Sequence, residues 1–374
     1  MESIHYTTYS EKDMKFKLSI IDWYIIKKFL GTYIFTIFLF IAIIVIIDYN
    51  QKVDNFDKTS APFKAIVFDY YFNFIPSFIN TFSPLFVFIA VIFFTTKLAD
   101  NSEIIAMLSN GLSFDRFVVP YMISASLIAV LTFGLNSYII PPGNVKRLEF
   151  ENKYIVIRRT YSTPHVQLEI EPGIFAYFNS FTSYNNRGSG FCLDRFEGKE
   201  LVSRLTARNI TWDSAYHWTI DNYTIRNFEG MKETITKGNK MDTVIKITPS
   251  DFMVSYGDYE KLTTPKLKAY IDRQKKRGMG NVQQFEIEYH QRYATAFASF
   301  ILTIIGVSLS SRKIKGGMGL NIGLGLALSF SYILFMQITS TFAVSGMVSA
   351  FIAVWIPNVF FVLIAAVLYK KALR

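Results

Sequence analysis

Few residues in this chain stand at spacings that do chemistry. The four histidines, His5, His165, His217 and His290, lie far apart and make no pair at metal-ligand spacing. A single Cys192 excludes an internal disulfide and, alone, builds no redox or metal centre. No nucleophile–base pair or paired carboxylates stand out, which argues against an enzyme. No G-x-x-x-x-G-K-[ST] run occurs, so the chain carries no Walker loop to cradle ATP phosphates. The richest short segment is Asp100-Asn101-Ser102-Glu103-Ile104-Ile105-Ala106-Met107-Leu108-Ser109-Asn110-Gly111-Leu112-Ser113. Asp100 with Glu103 three residues on predicts a capping-box-like pair. Ile104, Leu108 and Leu112 recur every four residues, and Gly111 suits a left-handed stop. The pattern predicts a short amphipathic helix lying across a membrane surface. Two roles for Glu103 stay open: it meets a basic residue in a groove of a soluble partner, or it only caps its own helix.

The elements that position this segment are membrane spans. Hydrophobic residues make up 51% of the 374 and aromatics 17%, while charged residues are 18% and apolar positions cluster in long runs. Each run must be helical, because lipid satisfies no exposed backbone amide. Spans are expected near 29–47, 66–96, 117–140, 293–309, 318–343 and 347–369. The second holds Asp69, Asn73, Pro76, Asn80 and Pro84, so its first half runs along the membrane surface or lines a cavity. The start is polar through Lys17 and lacks a small-residue cleavage site, unlike a cleavable signal. Basic residues flank one set of ends: Lys15, Lys17, Lys27 and Lys28; Arg312, Lys313 and Lys315; Lys370, Lys371 and Arg374. By the positive-inside rule both termini are cytoplasmic. The net charge of +10 serves that role rather than nucleic-acid binding, because no basic stripe interleaves with aromatics.

Between the third and fourth spans the pattern changes to alternation, in 166–170, 174–178, around Trp218, Ile220 and Ile225, and in 244–247. Polar turns at 185–190 and 238–239 separate these runs and indicate an antiparallel all-β unit. A helical stretch at 265–277 leads back to the membrane. The expected fold class is an α-helical membrane protein with six transmembrane helices and an inserted all-β, jellyroll-like periplasmic domain. Its parts are a membrane half at 1–140, the β domain at 141–270 and a second membrane half, with its connector, at 271–374.

Several motifs, in this order, resemble lipopolysaccharide-export permeases of the LptF/LptG type. They are Asp22-Trp23-Tyr24-Ile25, then Ser102-Glu103-Ile104 to Gly111-Leu112-Ser113 with Pro120, then Trp218-Thr219-Ile220 and Thr248-Pro249-Ser250-Asp251-Phe252. Glu288-Tyr289-His290-Gln291-Arg292, the run from Gly306 to Ser311, and Trp355-Ile356-Pro357-Asn358 follow. The resemblance covers nearly the whole chain. It implies a bacterial inner-membrane subunit that pairs with a second, related permease and with a cytoplasmic ATPase dimer, which binds the ATP; the chain needs no cofactor of its own. It implies that Ser102, Glu103, Ile104, Met107, Leu108 and Gly111 belong to the coupling helix. It also implies a β domain that passes lipopolysaccharide to a periplasmic bridge protein of the LptC/LptA type, with Phe178, Trp218 and Ile220 as relay residues. In a sealed sandwich the same three residues are ordinary core.

Lipid A carries phosphates, so cations are expected at the cavity rim: Lys52, Lys146, Arg147, Arg158 and Arg159. Interfacial snorkelling is the competing account of each. The family's lysines near the outer end of the first span have no counterpart in 43–47, which is followed by Asp48. Gly319, Gly323 and Ala327 form a small-xxx-small stripe that gates against the partner or packs within its own bundle. Two other classes compete with the exporter. A secondary transporter needs repeated halves and mid-membrane ionisable groups, of which Asp69, Asn73 and Asn80 are the nearest approach, all in one helix. A non-transporting scaffold needs only the β domain's binding surface.

Overall fold

The structure is a computed structural model that describes residues 18–155, 162–182, 185–252, 258–276, 282–312 and 317–373. In chain order the helices are α1 (Ile20–Lys58), α2 (Phe63–Asp100), the short α3 (Glu103–Ser109) and α4 (Phe114–Tyr154). After the strands come α5 (Thr264–Lys276), α6 (Gln283–Ser310), α7 (Gly317–Val344) and α8 (Ala350–Ala372). Among the described residues six helices, all but α3 and α5, are long and apolar enough to cross a membrane.

The first three long helices overrun the spans that composition predicts. α1 has 39 residues, about 58 Å at 1.5 Å per residue, against a hydrocarbon core of about 30 Å. Polar residues 48–58 continue the helix rather than forming a loop, and Asp48 and Lys52 support it as an i,i+4 ion pair at 2.6 Å. α4 likewise runs past Pro141 and Pro142 to Tyr154. A π-type turn at Leu135–Ile139 precedes the prolines, whose missing N–H groups and rings do not fit a regular helix interior. A matching π turn at Ile66–Tyr71 lies in α2. Gly143 lets α4 approach α2 there, since a Cβ would fall 2.8 Å from Asn73 Oδ1.

Two apolar cores hold the bundle. One joins α1, α2 and α4 through Phe29, Phe86, Val91, Phe117 and Tyr121. The other joins α2, α6, α7 and α8 through Phe88, Leu302, Tyr332 and Phe361. Gly306 of α6 packs on Val91, where a Cβ would come within 2.7 Å of its Cγ1. Asn358 ties three helices: its Oδ1 accepts from Tyr332 Oη at 2.9 Å and its Nδ2 donates to the Ala294 carbonyl at 3.1 Å.

The inserted domain is a six-stranded antiparallel sheet in the order β1-β2-β3-β4-β5-β6, each strand joined to the next by a hairpin. The strands are β1 (Ser162–Glu171), β2 (Ile174–Thr182), β3 (Arg187–Glu197), β4 (Glu200–Ser214), β5 (His217–Glu229) and β6 (Lys232–Val244). The chain therefore turns from helix to strand some twenty residues after position 140. One sheet face carries the core of Val166, Leu168, Phe178, Phe191, Ile210 and Ile220. The segment after β6 folds back over that face. Ile245 and Ile247 join the core, Trp218 Nε1 donates to the Ile247 carbonyl at 3.0 Å, and Lys246 reaches Glu171 of β1 at 2.6 Å.

Candidate functional site

The predicted short helix forms, but not by the predicted cap. Asp100 ends α2, and Ser102 occupies the N-cap with φ 62°, in the left-handed region, without a side-chain cap bond. That backbone turns the chain sharply and is incompatible with the extended N-cap a capping box needs. Glu103 is instead the first residue of α3. Its Oε2 accepts from Tyr24 Oη at 3.2 Å and its Oε1 from Asn101 Nδ2 at 3.1 Å. Gly111 takes φ 88°, the expected left-handed stop. Ile104 is 1% exposed and packs with Phe94, Leu98 and Phe117. Met107 is half-buried against the same core. Ile105 and Leu108 face outward, at 59% and 37% exposure.

The helix is fixed at the end of the bundle where four other pieces converge. Ser19 and Asp22 form the capping box that starts α1. Asp22 also accepts both guanidinium nitrogens of Arg116 in the first turn of α4, one at 2.8 Å. Tyr369 of α8 donates to Asp115, and Arg312 donates to the Ala372 carbonyl at 3.2 Å. The start of α1, the α2–α4 connection, Arg312 and the end of α8 thus share one end. Asp22 and Tyr24 belong to the quoted lead into the first span, yet their partners lie 94 and 79 residues away and are invisible to spacing.

At the opposite end the predicted cations divide. Lys52 Nζ is bonded to Asp48 and Tyr70 Oη, and sits over the rings of Tyr70 and Phe74 at 4.5 and 5.5 Å. Asp48 is buried and also accepts from Tyr71 Oη at 3.2 Å. Arg147 donates to Glu260 Oε2 at 2.9 Å. Lys146 is exposed beside a surface cavity of about 340 Å³ that Asp69, Glu149 and Lys153 also line. Arg158 and Arg159 lie outside the described residues. Beneath Arg147 is a polar chamber of about 320 Å³ lined by Asn80, Asn144, Glu260, Glu288 and Gln291. Asn80 lining it agrees with the cavity reading of the polar half of the second span. Burial pushes the Glu260 carboxyl up from its usual range, against the pull of Arg147.

The small-residue stripe faces outward. Gly319 and Gly323 have nothing within 4 Å of a built Cβ, and Ala327 is exposed. Close packing inside the bundle falls instead to Gly325, which lies against Ile92. In the sheet, Phe178, Trp218 and Ile220 come together, each fully buried, with the Phe178 and Trp218 rings 6.0 Å apart. A lateral groove of about 580 Å³, between Val119 and Met122 of α4, Ile304 of α6 and Ala366 of α8, had no sequence signal.

Residues 23–371 match the family described as lipopolysaccharide export system permease LptF/LptG. The chain belongs to the LptF/LptG family. No curated protein matches it. As an LptF/LptG family member it is a membrane permease with six apolar helices and an inserted β domain. The matched stretch contains α3, the polar chamber and the whole sheet of the permease.

Proposed function

We propose that this chain is one of two related permease subunits of an ATP-driven exporter. The exporter lifts lipopolysaccharide out of the bacterial inner membrane and passes it to a periplasmic bridge protein of the LptC/LptA type. The observation that carries this reading is the family match spanning both membrane halves and the β domain. Geometry supports a division of labour. At one end α3 offers exposed Ile105 and Leu108 beside Glu103, a surface for the ATPase dimer that binds the ATP. The chain itself takes no cofactor. ATP-driven movement of that partner would enter α1 through Tyr24 and would spread to α4 through the Asp22–Arg116 pair.

Lys27, Lys28, Arg312, Lys370 and Lys371 lie at that same end, which is therefore cytoplasmic, both termini included, and the sheet is periplasmic. The thinly covered α1 and the open Gly319, Gly323 and Ala327 stripe present a flank to the second permease. β6 is exposed along nearly its whole length, so a strand of the bridge protein can add to it. Relay of an acyl chain past Phe178, Trp218 and Ile220 requires the sheet to part from the covering segment at 245–247. In this reading exposed Lys146 meets a lipid phosphate directly, whereas Lys52 and Arg147 must first leave Asp48 and Glu260.

Purification of the complex from membranes, followed by mass spectrometry, tests the reading. A soluble ATPase and a second permease are expected to co-purify, and the reconstituted assembly to release lipopolysaccharide only with ATP. Purification of the folded chain with neither partner would overturn it.

A further inference from the structure

The two stretches of chain that tie the β domain to the bundle meet at the outer end of α2, α4 and α6. α4 carries the chain out, and the 3₁₀ turn Asp258–Lys261 with α5 brings it back. From one side Arg147 Nη2 donates to Glu260 Oε2 at 2.9 Å and Asn144 Nδ2 to the Glu260 carbonyl at 3.3 Å. From the other side Arg292, 1% exposed, donates to Thr264 Oγ1 at 3.0 Å and to the Tyr259 carbonyl at 3.5 Å. Arg292 Nε is itself held by Glu288 at 2.9 Å. The returning segment is thus gripped between two arginines of different helices.

The two grips are unequal. Each guanidinium nitrogen of Arg292 has a partner, whereas the Arg147 side is left part-satisfied. Arg147 Nε has no hydrogen-bond partner: Glu151 Oε1 lies at 3.7 Å, near enough for attraction and too far for a bond. Asn80 Oδ1 and Asn144 Oδ1 are also buried without partners, and both residues line the chamber that Arg147 lines. The Arg147 side thus holds one donor and two acceptors that no protein bond uses, all on residues lining one polar cavity. At about 30 Å³ per molecule the chamber has room for several waters, which can satisfy all three groups. It also gives the guanidinium space and acceptors to use once Glu260 is withdrawn.

We propose that Arg147 is a positioning residue of the transport cycle. It clasps the returning segment through Glu260 in the arrangement seen here. It releases that segment into the hydrated chamber, exchanging Glu260 for the Asn80 and Asn144 carbonyl oxygens, when the bundle rearranges. Arg292 stays fixed as the pivot, and the release lets helix motion reach the β domain. The inference rests on the permease reading above.

The test uses the complete reconstituted transporter. Glu149→Cys on α4 with Lys261→Cys on the returning turn, in a Cys192→Ser background and sparing Arg147, Asn144 and Glu260, is bridged by a cleavable dimaleimide matched to their separation at rest. Before and after cleavage the same protein is assayed for ATP hydrolysis and ATP-driven lipopolysaccharide release. With the bridge in place, release is expected to fall at least tenfold while hydrolysis continues, and cleavage to restore release. Undiminished release in the bridged protein overturns the proposal. Should the unbridged pair already be inactive, charge exchange decides. Arg147→Glu and Glu260→Arg alone are each expected to lose release, and the double variant to regain at least half of it. A double variant no better than either single overturns the clasp. If the unaltered transporter releases no lipopolysaccharide with ATP, the permease reading fails instead.

Discussion

Glu103 opens a helix of seven residues, and each of its two hydrogen bonds is exposed. Exposed polar contacts of this kind contribute little to stability, about 0–1 kcal/mol. Glu103→Ala is therefore expected to leave the melting temperature of the purified permease within a few degrees of the parent. The same change removes the charge beside Ile105 and Leu108, so ATPase co-purification is expected to fall several-fold. Pull-down yields equal to the parent's would leave Glu103 with its contacts to Tyr24 and Asn101 alone. Cys192 behaves differently. Burial, with Asp194 adding to it, pushes its thiol up to about 11, so roughly one molecule in ten thousand carries the thiolate at pH 7. Maleimide labelling of Cys192 is expected to be far slower than that of an exposed engineered cysteine at pH 7, and to accelerate toward pH 9. Equal labelling at neutral pH would contradict the burial seen here.

At the scale of elements, β3 and β4 are joined by a two-bond pair in which Arg204 Nε and Nη2 each donate to Asp194 at 2.7 Å. Those bonds hold the Asp194 carboxyl below its usual range, although partial burial opposes them. A lowered folded-state value means stability present above the unfolded carboxylate range, near pH 4, and lost as pH falls through the folded value. Arg204→Met should remove that part of the acid sensitivity. Its stability deficit should be present at pH 6 and shrink toward pH 2, as followed by denaturant unfolding. Arg204 is 40% exposed, so the deficit at pH 6 should be small, about 1 kcal/mol or less. The sheet's faces also separate relay from plain core. Phe178 and Ile220 lie inside, while Thr219 faces outward, its hydroxyl 2.7 Å from Asp213 and 2.8 Å from Asp242 and able to donate its one proton to either. A photo-crosslinking residue at 178 or 220 should capture lipopolysaccharide only with ATP, and one at 219 should not. Capture at all three positions alike would indicate nonspecific lipid contact.

For the whole molecule, the contacts group the ends, and the positive-inside rule predicts that the group bearing Arg312 and Lys371 faces the cytoplasm. Single cysteines at Arg312 and Lys371 should react with an impermeant reagent only from the cytoplasmic side. Those at Ser345 and Lys199, in the α7–α8 link and at the β3–β4 turn, should react from the outside. Labelling of 312 from outside would overturn the arrangement. The slow Cys192 thiol leaves a low background for this experiment.

Sequence alone determined the elements whose physics is local. Six apolar runs have to be helices because a bilayer leaves no other way to satisfy their amides, and two-residue alternation marks a half-buried sheet. The left-handed stop at Gly111 and the returning helix α5 were legible for the same reason. The helices overrun the predicted spans where polar residues continue them, because hydropathy reports the solvent around a helix and not its end. The site was another matter. Whether Gly323 or Gly325 packs against a neighbour is decided by helix rotation in the bundle, and their spacing to other small residues is silent on it. Lys52 and Arg147 read as free cations until folding sets Asp48 beside the first and Glu260, 113 residues away, against the second. Asp100 reads as the cap of the next helix until the fold makes it the last residue of α2 and leaves the N-cap to Ser102, in the left-handed region. Side-chain identity was in the sequence; partnership across long separations came only with the tertiary fold, because burial, not spacing, decides which charges must find each other.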